Sequence, residues 1–141
     1  MPAKTLAHFI DTNILIYLAS GDDAKAARAE EILREGGVVS VQVLNELTNV
    51  ARRKLRMDWP DIRAFLGLLR GLVEVQPITM DTHEAGLVLA ERYGLSTYDA
   101  MIVASAAGAG CAVLWSEDMQ HGMAMGETLR VVNPFRPASF P

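Results

Sequence analysis

Short apolar runs alternate along this chain with longer stretches of helical periodicity, and turn-forming residues separate them. Residues 6–10 are apolar and end in the polar triplet Asp11-Thr12-Asn13, after which residues 14–18 are apolar again. The whole is too long for one strand, so the polar break predicts a buried strand followed by a helix capped by Asp or Asn. Gly21-Asp22-Asp23 predicts a turn and a new helix, with Ala26, Ala27, Ala29, Ile32 and Leu33 on its apolar side and a stop at Gly36-Gly37. A second strand is expected at 38–41. From 42 to 55, Val43, Leu44, Leu47, Val50 and Ala51 make a helical stripe. Another helix opens at Asp58-Trp59-Pro60-Asp61, where proline is tolerated in the first turn. It carries Ile62, Phe65, Leu66 and Leu69 and ends near Gly71. A short strand at 73–75, a helix over 79–93 closed by Gly94 and an alanine-rich helix over 96–108 follow. Strands are expected at 112–115 and 129–132, and the three prolines within 133–141 predict an extended tail.

Strands alternating with helices point to an α/β fold, a compact α/β/α sandwich around a central, mostly parallel sheet. In such sheets ligands collect beyond the carboxyl ends of the strands. Asp11 follows the first strand and Asp118 the fourth, so both are expected at that edge.

Composition narrows the class. At 141 residues, 50% hydrophobic and 21% charged, the chain can bury one core and is not disordered. It contains no apolar run near the roughly 18–20 residues that span a bilayer. Residues 1–5 lack the apolar segment and cleavage site of a signal peptide. A cytoplasmic protein without membrane association is expected. The single cysteine, Cys111, can form no internal disulfide and is expected as a small buried filler. The net charge of −4 argues against a protein that coats nucleic acid, but not against one whose acids are paired with metal ions.

Four carboxylates carry the candidate chemistry, and each has an ordinary explanation. Asp11 suits a helix cap. Glu46 lies three residues after Val43 and four before Val50, on or beside the apolar stripe, where it must snorkel, pair or bind a cation. Asp99 sits in the first turn of its helix, where Ser96 looks like the cap and the macrodipole favours an acid. Asp118 fits a turn after a strand, with Glu117 beside it as a rival. Their joint occurrence changes the weighing: hard oxygen ligands select Mg²⁺ or Mn²⁺. Without a metal, four clustered anions would raise one another's pKa values.

At these residues the sequence resembles the PIN-domain family, and within it the toxin ribonucleases of VapC type. The matching pieces are Phe9-Ile10-Asp11-Thr12-Asn13-Ile14-Leu15, Asn45-Glu46-Leu47, Leu95-Ser96-Thr97-Tyr98-Asp99-Ala100-Met101-Ile102 and Leu114-Trp115-Ser116-Glu117-Asp118-Met119. The last departs from the family pattern at Trp115 and after Met119. The resemblance implies a PIN-like nuclease domain over residues 1–133, with 134–141 as a tail. It implies metal-dependent endonucleolytic cleavage of RNA. Asp11, Glu46 and Asp99 would hold Mg²⁺ or Mn²⁺, Asp118 would complete the pocket or hold a second ion, and Thr12, Asn13 and Ser116 would support the acids by hydrogen bonds. It also implies a homodimer inhibited by a cognate antitoxin.

The densest basic cluster, Arg52, Arg53, Lys54 and Arg56, ends the helix that carries Glu46. It either complements the helix dipole or contacts RNA phosphates. His8, His83 and His121 have no zinc-type spacing. His8 in its strand reads as structural, and His121, just after Asp118, is within reach of the site. Trp59, Phe65 and Leu69 suit either a core or a dimer surface. Two alternatives stay open: a non-catalytic binding module on the same fold, and a phosphatase using Asp11 as nucleophile. The second is disfavoured because the position two residues on is Asn13, which cannot exchange a proton with a leaving group.

Overall fold

The computed structural model describes residues 7–126 and 128–136. The chain begins with β1 (His8–Ile10), and Asp11 caps the short helix α1 (Thr12–Leu15) by accepting from the Thr12 amide. The apolar run that follows tightens into a 3₁₀ turn (Ile16–Ala19) instead of continuing as α-helix. Next come α2 (Asp23–Arg34), capped by Asp22, and β2 (Val38–Ser40). Ser40 then accepts from the Val43 amide as the cap of α3 (Val41–Arg53), so Val41 starts the helix instead of ending the strand. Asp58 caps α4 (Trp59–Arg70), which carries proline in its first turn. After β3 (Glu74–Gln76), α5 (Met80–Tyr93) runs from a Thr79–Thr82 capping box to Gly94, whose φ of 67° closes it in the left-handed region. The helix α6 (Thr97–Gly108) leads into β4 (Val113–Trp115), β5 (Ala124–Met125) and β6 (Leu129–Val132).

The strands form one sheet in the order β3-β2-β1-β4-β6-β5. All pairings are parallel except β5 with β6. The two-residue β5 has no sequence signal, being too short for alternation to show. Strand residues Phe9, Ile10, Val39, Leu114 and Val131 are buried in a core with Ile14, Leu15, Leu47 and Ile102 from the helices. The alanine-rich α6 is buried from Ala100 to Ala106. Its small side chains let it lie deep in the molecule, as the composition predicts. Cys111 is buried too, and burial pushes its thiol up to about 11, so it stays protonated and inert.

Two features adjust the sequence-based outline. Residues 133–136 do not extend: the Arg136 amide returns to the Asn133 carbonyl, and Phe135 packs edge-on against Tyr17 at 5.1 Å between ring centres. The rest of the expected tail, 137–141, and residues 1–6 lie outside the described residues. Among the described residues, no helix is long and apolar enough to cross a membrane.

Candidate active site

Sheet order places the site. From β1 the chain moves to β2 and β3 on one side, then returns to β4 and continues to β6 on the other. The crevice beyond the carboxyl ends of β1 and β4 is therefore the topological switch point. The Asp11 amide donates to the Trp115 carbonyl at 3.0 Å, which fixes the end of β1 against the end of β4. A cleft of about 360 Å³ opens there, lined by Asp11, Glu46, Asp99 and Asp118, with Asn49 of α3 and Lys54 just after that helix on its wall.

Asp11 is the deepest acid, 4% exposed. One carboxylate oxygen accepts from the Thr12 amide at 2.7 Å; the other accepts from the Ser116 hydroxyl at 2.8 Å and the Asn13 amide group at 3.2 Å. Burial pushes its carboxyl up from 3.8 to about 6. The Ser116 and Thr12 hydrogen bonds hold it back, and the charges of Glu46 and Asp99 add to the rise. Glu46 accepts from the Thr12 hydroxyl at 2.7 Å and from the Gln42 amide group at 3.1 Å. Asn13 also donates to Asp118 at 3.1 Å, so one amide bridges the acids that follow β1 and β4. Its carbonyl oxygen accepts from the Glu117 backbone at 3.0 Å, which fixes the amide's orientation. Asp99 enters from the first turn of α6, whose cap is Ser96 accepting from the Asp99 backbone at 3.2 Å.

Glu117 is occupied elsewhere. Its carboxylate accepts from Tyr17 at 2.6 Å and pairs with Lys25 at 2.7 Å. Burial would raise its pKa, but the Lys25 and Tyr17 hydrogen bonds and the Lys25 charge bring it below its ordinary value. Asp118, not Glu117, lines the cleft. Of the basic cluster, Lys54 lines the cleft and Arg52 and Arg53 line a neighbouring cavity. Arg56, turned by a φ of 54°, lines neither. His121 accepts from the Asn133 backbone and is no part of the cleft wall. His8 accepts from the Trp115 indole at 2.6 Å, a contact between neighbouring strands. Sequence reasoning passed over Gln42 and Asn49. The available signal was helical spacing, since they stand four before and three after Glu46 on the same helix.

The donor set is all oxygen. Among the described residues, no three His, Cys, Asp or Glu side chains already stand close enough to hold an ion. Both oxygens of Asp11 and both of Glu46 are held instead by protein donors. Among the same residues none of the four acids is paired with a lysine or arginine, since the ion pairs there are Lys25–Glu117 and Arg28–Glu31. A cleft whose four acids have no ion-pair partner among the described residues, containing a carboxyl pushed up to about 6, fits a hard divalent cation.

An acid-lined cleft at the switch point of a mainly parallel sheet, walled by helices, places the molecule among α/β proteins with a carboxylate site. The chain belongs to the PIN domain family, whose model matches residues 8–122. No curated protein matches it in sequence. Among solved structures, the fold resembles Mycobacterium tuberculosis VapC20, a Sarcin-Ricin loop cleaving toxin. The TM-score is 0.66 at 23% identity, covering 79% of this chain and 90% of that one. A toxin–antitoxin complex from Klebsiella pneumoniae superposes with a TM-score of 0.70 at 23% identity, covering 92% and 98%. VapBC2 from Rickettsia felis, bound to a promoter DNA fragment, gives 0.58 at 18% identity, covering 79% and 87%.

Proposed function

We propose that this chain is a metal-dependent endoribonuclease, the toxin of a toxin–antitoxin pair. The observation that carries the reading is the convergence of Asp11, Glu46, Asp99 and Asp118, from four separated points of the chain, on one cleft. The likeness in fold to VapC20 and to toxin–antitoxin complexes supports the biological setting. Asp11, Glu46 and Asp99 would hold Mg²⁺ or Mn²⁺, with Asp118 completing the set or serving a second ion. An ion held there would lower the pKa of a water and offset charge on the phosphoryl oxygens.

The chain's own part is positioning. Ser116, Asn13 and the Thr12 backbone orient Asp11, the Thr12 hydroxyl and Gln42 orient Glu46, and Asn13 ties Asp118 to Asp11. Lys54 on the cleft wall favours an anionic substrate. Carboxylates fixed in this way would need little reorganisation to hold the ion during the reaction.

Two apolar surfaces suit the partners of such a toxin. A groove between α2 and α4, lined by Leu18, Leu33, Phe65, Leu68, Leu69 and Leu72, leaves Leu68 73% exposed. It suits an apolar helix face of the antitoxin. Met80, Leu87 and Val88 are exposed on α5 and suit a second copy of the chain.

The test is cleavage of RNA by antitoxin-free protein with Mn²⁺ or Mg²⁺. Cleavage is expected to stop with EDTA and to fall at least about a hundredfold in Asp99→Asn, the scale of losing one charged group that acts in the transition state. Cleavage indifferent to EDTA, or unchanged in Asp99→Asn, rejects the reading. Failure of the folded protein to bind Mn²⁺ in calorimetry favours the non-catalytic module.

A further inference from the structure

Beside the carboxylate cleft lies a second cavity, of about 420 Å³, lined by Asn45, Thr48, Asn49, Arg52, Arg53 and Trp59. Asn45 stands three and four residues before Thr48 and Asn49 on α3, and these stand four and three before Arg52, so all share one helix face. Trp59, the first residue of α4, closes the other side. Asn49 belongs to both cavities, so the two are adjoining stretches of one surface. From Glu46 to Arg53 is about 10 Å along the helix axis.

We infer that this cavity is a subsite for an unpaired nucleotide of the RNA strand next to the cleaved bond. The inference builds on the nuclease reading above. The Arg52 guanidinium lies over the Trp59 ring, 4.5 Å from its centre. Trp59 is 49% exposed despite its size. A guanidinium stacked on an indole is a platform for a nucleobase, because bases stack on aromatic rings and on arginine planes alike. Neither Arg52 nor Arg53 is ion-paired among the described residues, so both charges are available to phosphate oxygens. The exposed side-chain amides of Asn45 and Asn49 carry both donors and acceptors, which a base edge requires.

The helix dipole accounts for cations at the end of α3, but not for an exposed tryptophan beside them or for the two amides on the same face. The chain as a whole carries −4, so the two arginines are a local departure from its charge. Paired RNA hides its base faces, whereas an unpaired loop exposes them for stacking. The occupant is therefore single-stranded RNA, its neighbouring nucleotide running from the acids onto Trp59.

The experiment measures binding of a 5′-fluorescein oligouridylate to the full chain in EDTA, so that binding is read without metal-dependent cleavage. RNA should quench the intrinsic fluorescence of wild type, and Trp59→Leu should remove that quenching, leaving Trp115 as the internal reference. Trp59→Leu should weaken binding about five- to a hundredfold, the range for losing one base stack, and Trp59→Tyr should restore most of it. Arg52→Gln with Arg53→Gln should flatten the salt dependence, reducing the slope of log K against log salt by about 1.4 for two lost phosphate contacts. Arg34→Gln is the control for net charge and should leave that slope unchanged.

Binding by Trp59→Leu within twofold of wild type, or unchanged quenching, overturns the subsite. A change in the molar mass of free Trp59→Leu protein also overturns it, because the face would then be a protein interface. Cleavage by wild type with Mn²⁺ is scored separately. RNA that binds on Trp59 without being cleaved removes the nuclease reading and leaves the subsite, whereas cleavage with Trp59 irrelevant does the reverse.

Discussion

Asp11 is constrained by its 4% exposure, by the Ser116 hydroxyl, the Asn13 amide group and the Thr12 amide on its oxygens, and by two acidic neighbours. Because its folded pKa of about 6 stands above the ordinary 3.8, the folded protein keeps a proton there that the unfolded chain has lost. In metal-free protein this group therefore lowers stability as pH rises from about 4 to about 6, and the loss is complete above that. At about 1.4 kcal/mol per pH unit the penalty reaches about 3 kcal/mol at neutral pH. Glu117 has the opposite sign: its lowered pKa contributes stability above its ordinary value that is lost on acidification. The difference between wild type and Asp11→Asn isolates Asp11. Urea unfolding in EDTA should show Asp11→Asn more stable than wild type by up to about 3 kcal/mol at pH 7.5, and nearly equal at pH 4. A variant that is less stable at pH 7.5 would contradict the burial argument. The motif around Asp11 was legible in the sequence because caps and turns are local chemistry. Its hydrogen bond with Ser116, 105 positions away, was implied only by the family resemblance, since no local pattern joins the two residues.

At the scale of elements, α5 packs chiefly against α6, and Gly86 is its one buried residue. A Cβ built there would meet Met101 Sδ and Cε of α6 at 2.6 Å. The two helices thus approach at a point where a side chain is missing. Gly86→Ala exchanges a helix-propensity gain of about 1 kcal/mol for a shift of the flexible Met101, so its effect on stability should be small. Gly86→Val should cost about 1–3 kcal/mol through overpacking, and adding Met101→Ala should recover part of that loss. Denaturant midpoints of the two single variants and the double variant test this; additive losses would show that the two residues do not share the contact. Helix boundaries were mostly legible because Asp22, Asp58 and Ser96 each mark a start, whereas Ser40 and Thr79, expected inside a strand and a helix, serve as caps. The 3₁₀ turn after α1 and the strand β5 were not. Neither is long enough to print a period of its own on the sequence.

Over the whole molecule, the two exposed apolar surfaces lie on different helices, and they should separate by mutation. Val88→Glu on α5 should shift the protein toward monomer in light scattering while leaving antitoxin binding intact. Leu68→Glu on α4 should weaken antitoxin binding, measured by titration, without changing the mass of the free protein. If either variant produced the other's effect, the assignment of the two surfaces would be reversed. The alternation of strands and helices and the mostly parallel sheet could both be derived from the sequence by itself. Each follows from side-chain period, caps and turn residues, which depend on near neighbours along the chain. Only the tertiary structure decided that Asp118 and not Glu117 lines the cleft, because Lys25, 92 residues away, captures Glu117. The same holds for the bridging amide of Asn13, the donation of the Gln42 amide group to the Tyr98 carbonyl, and the stacking of Arg52 on Trp59. These contacts depend on how separately formed elements are brought together by strand order and helix packing, and no local pattern along the chain encodes that distance.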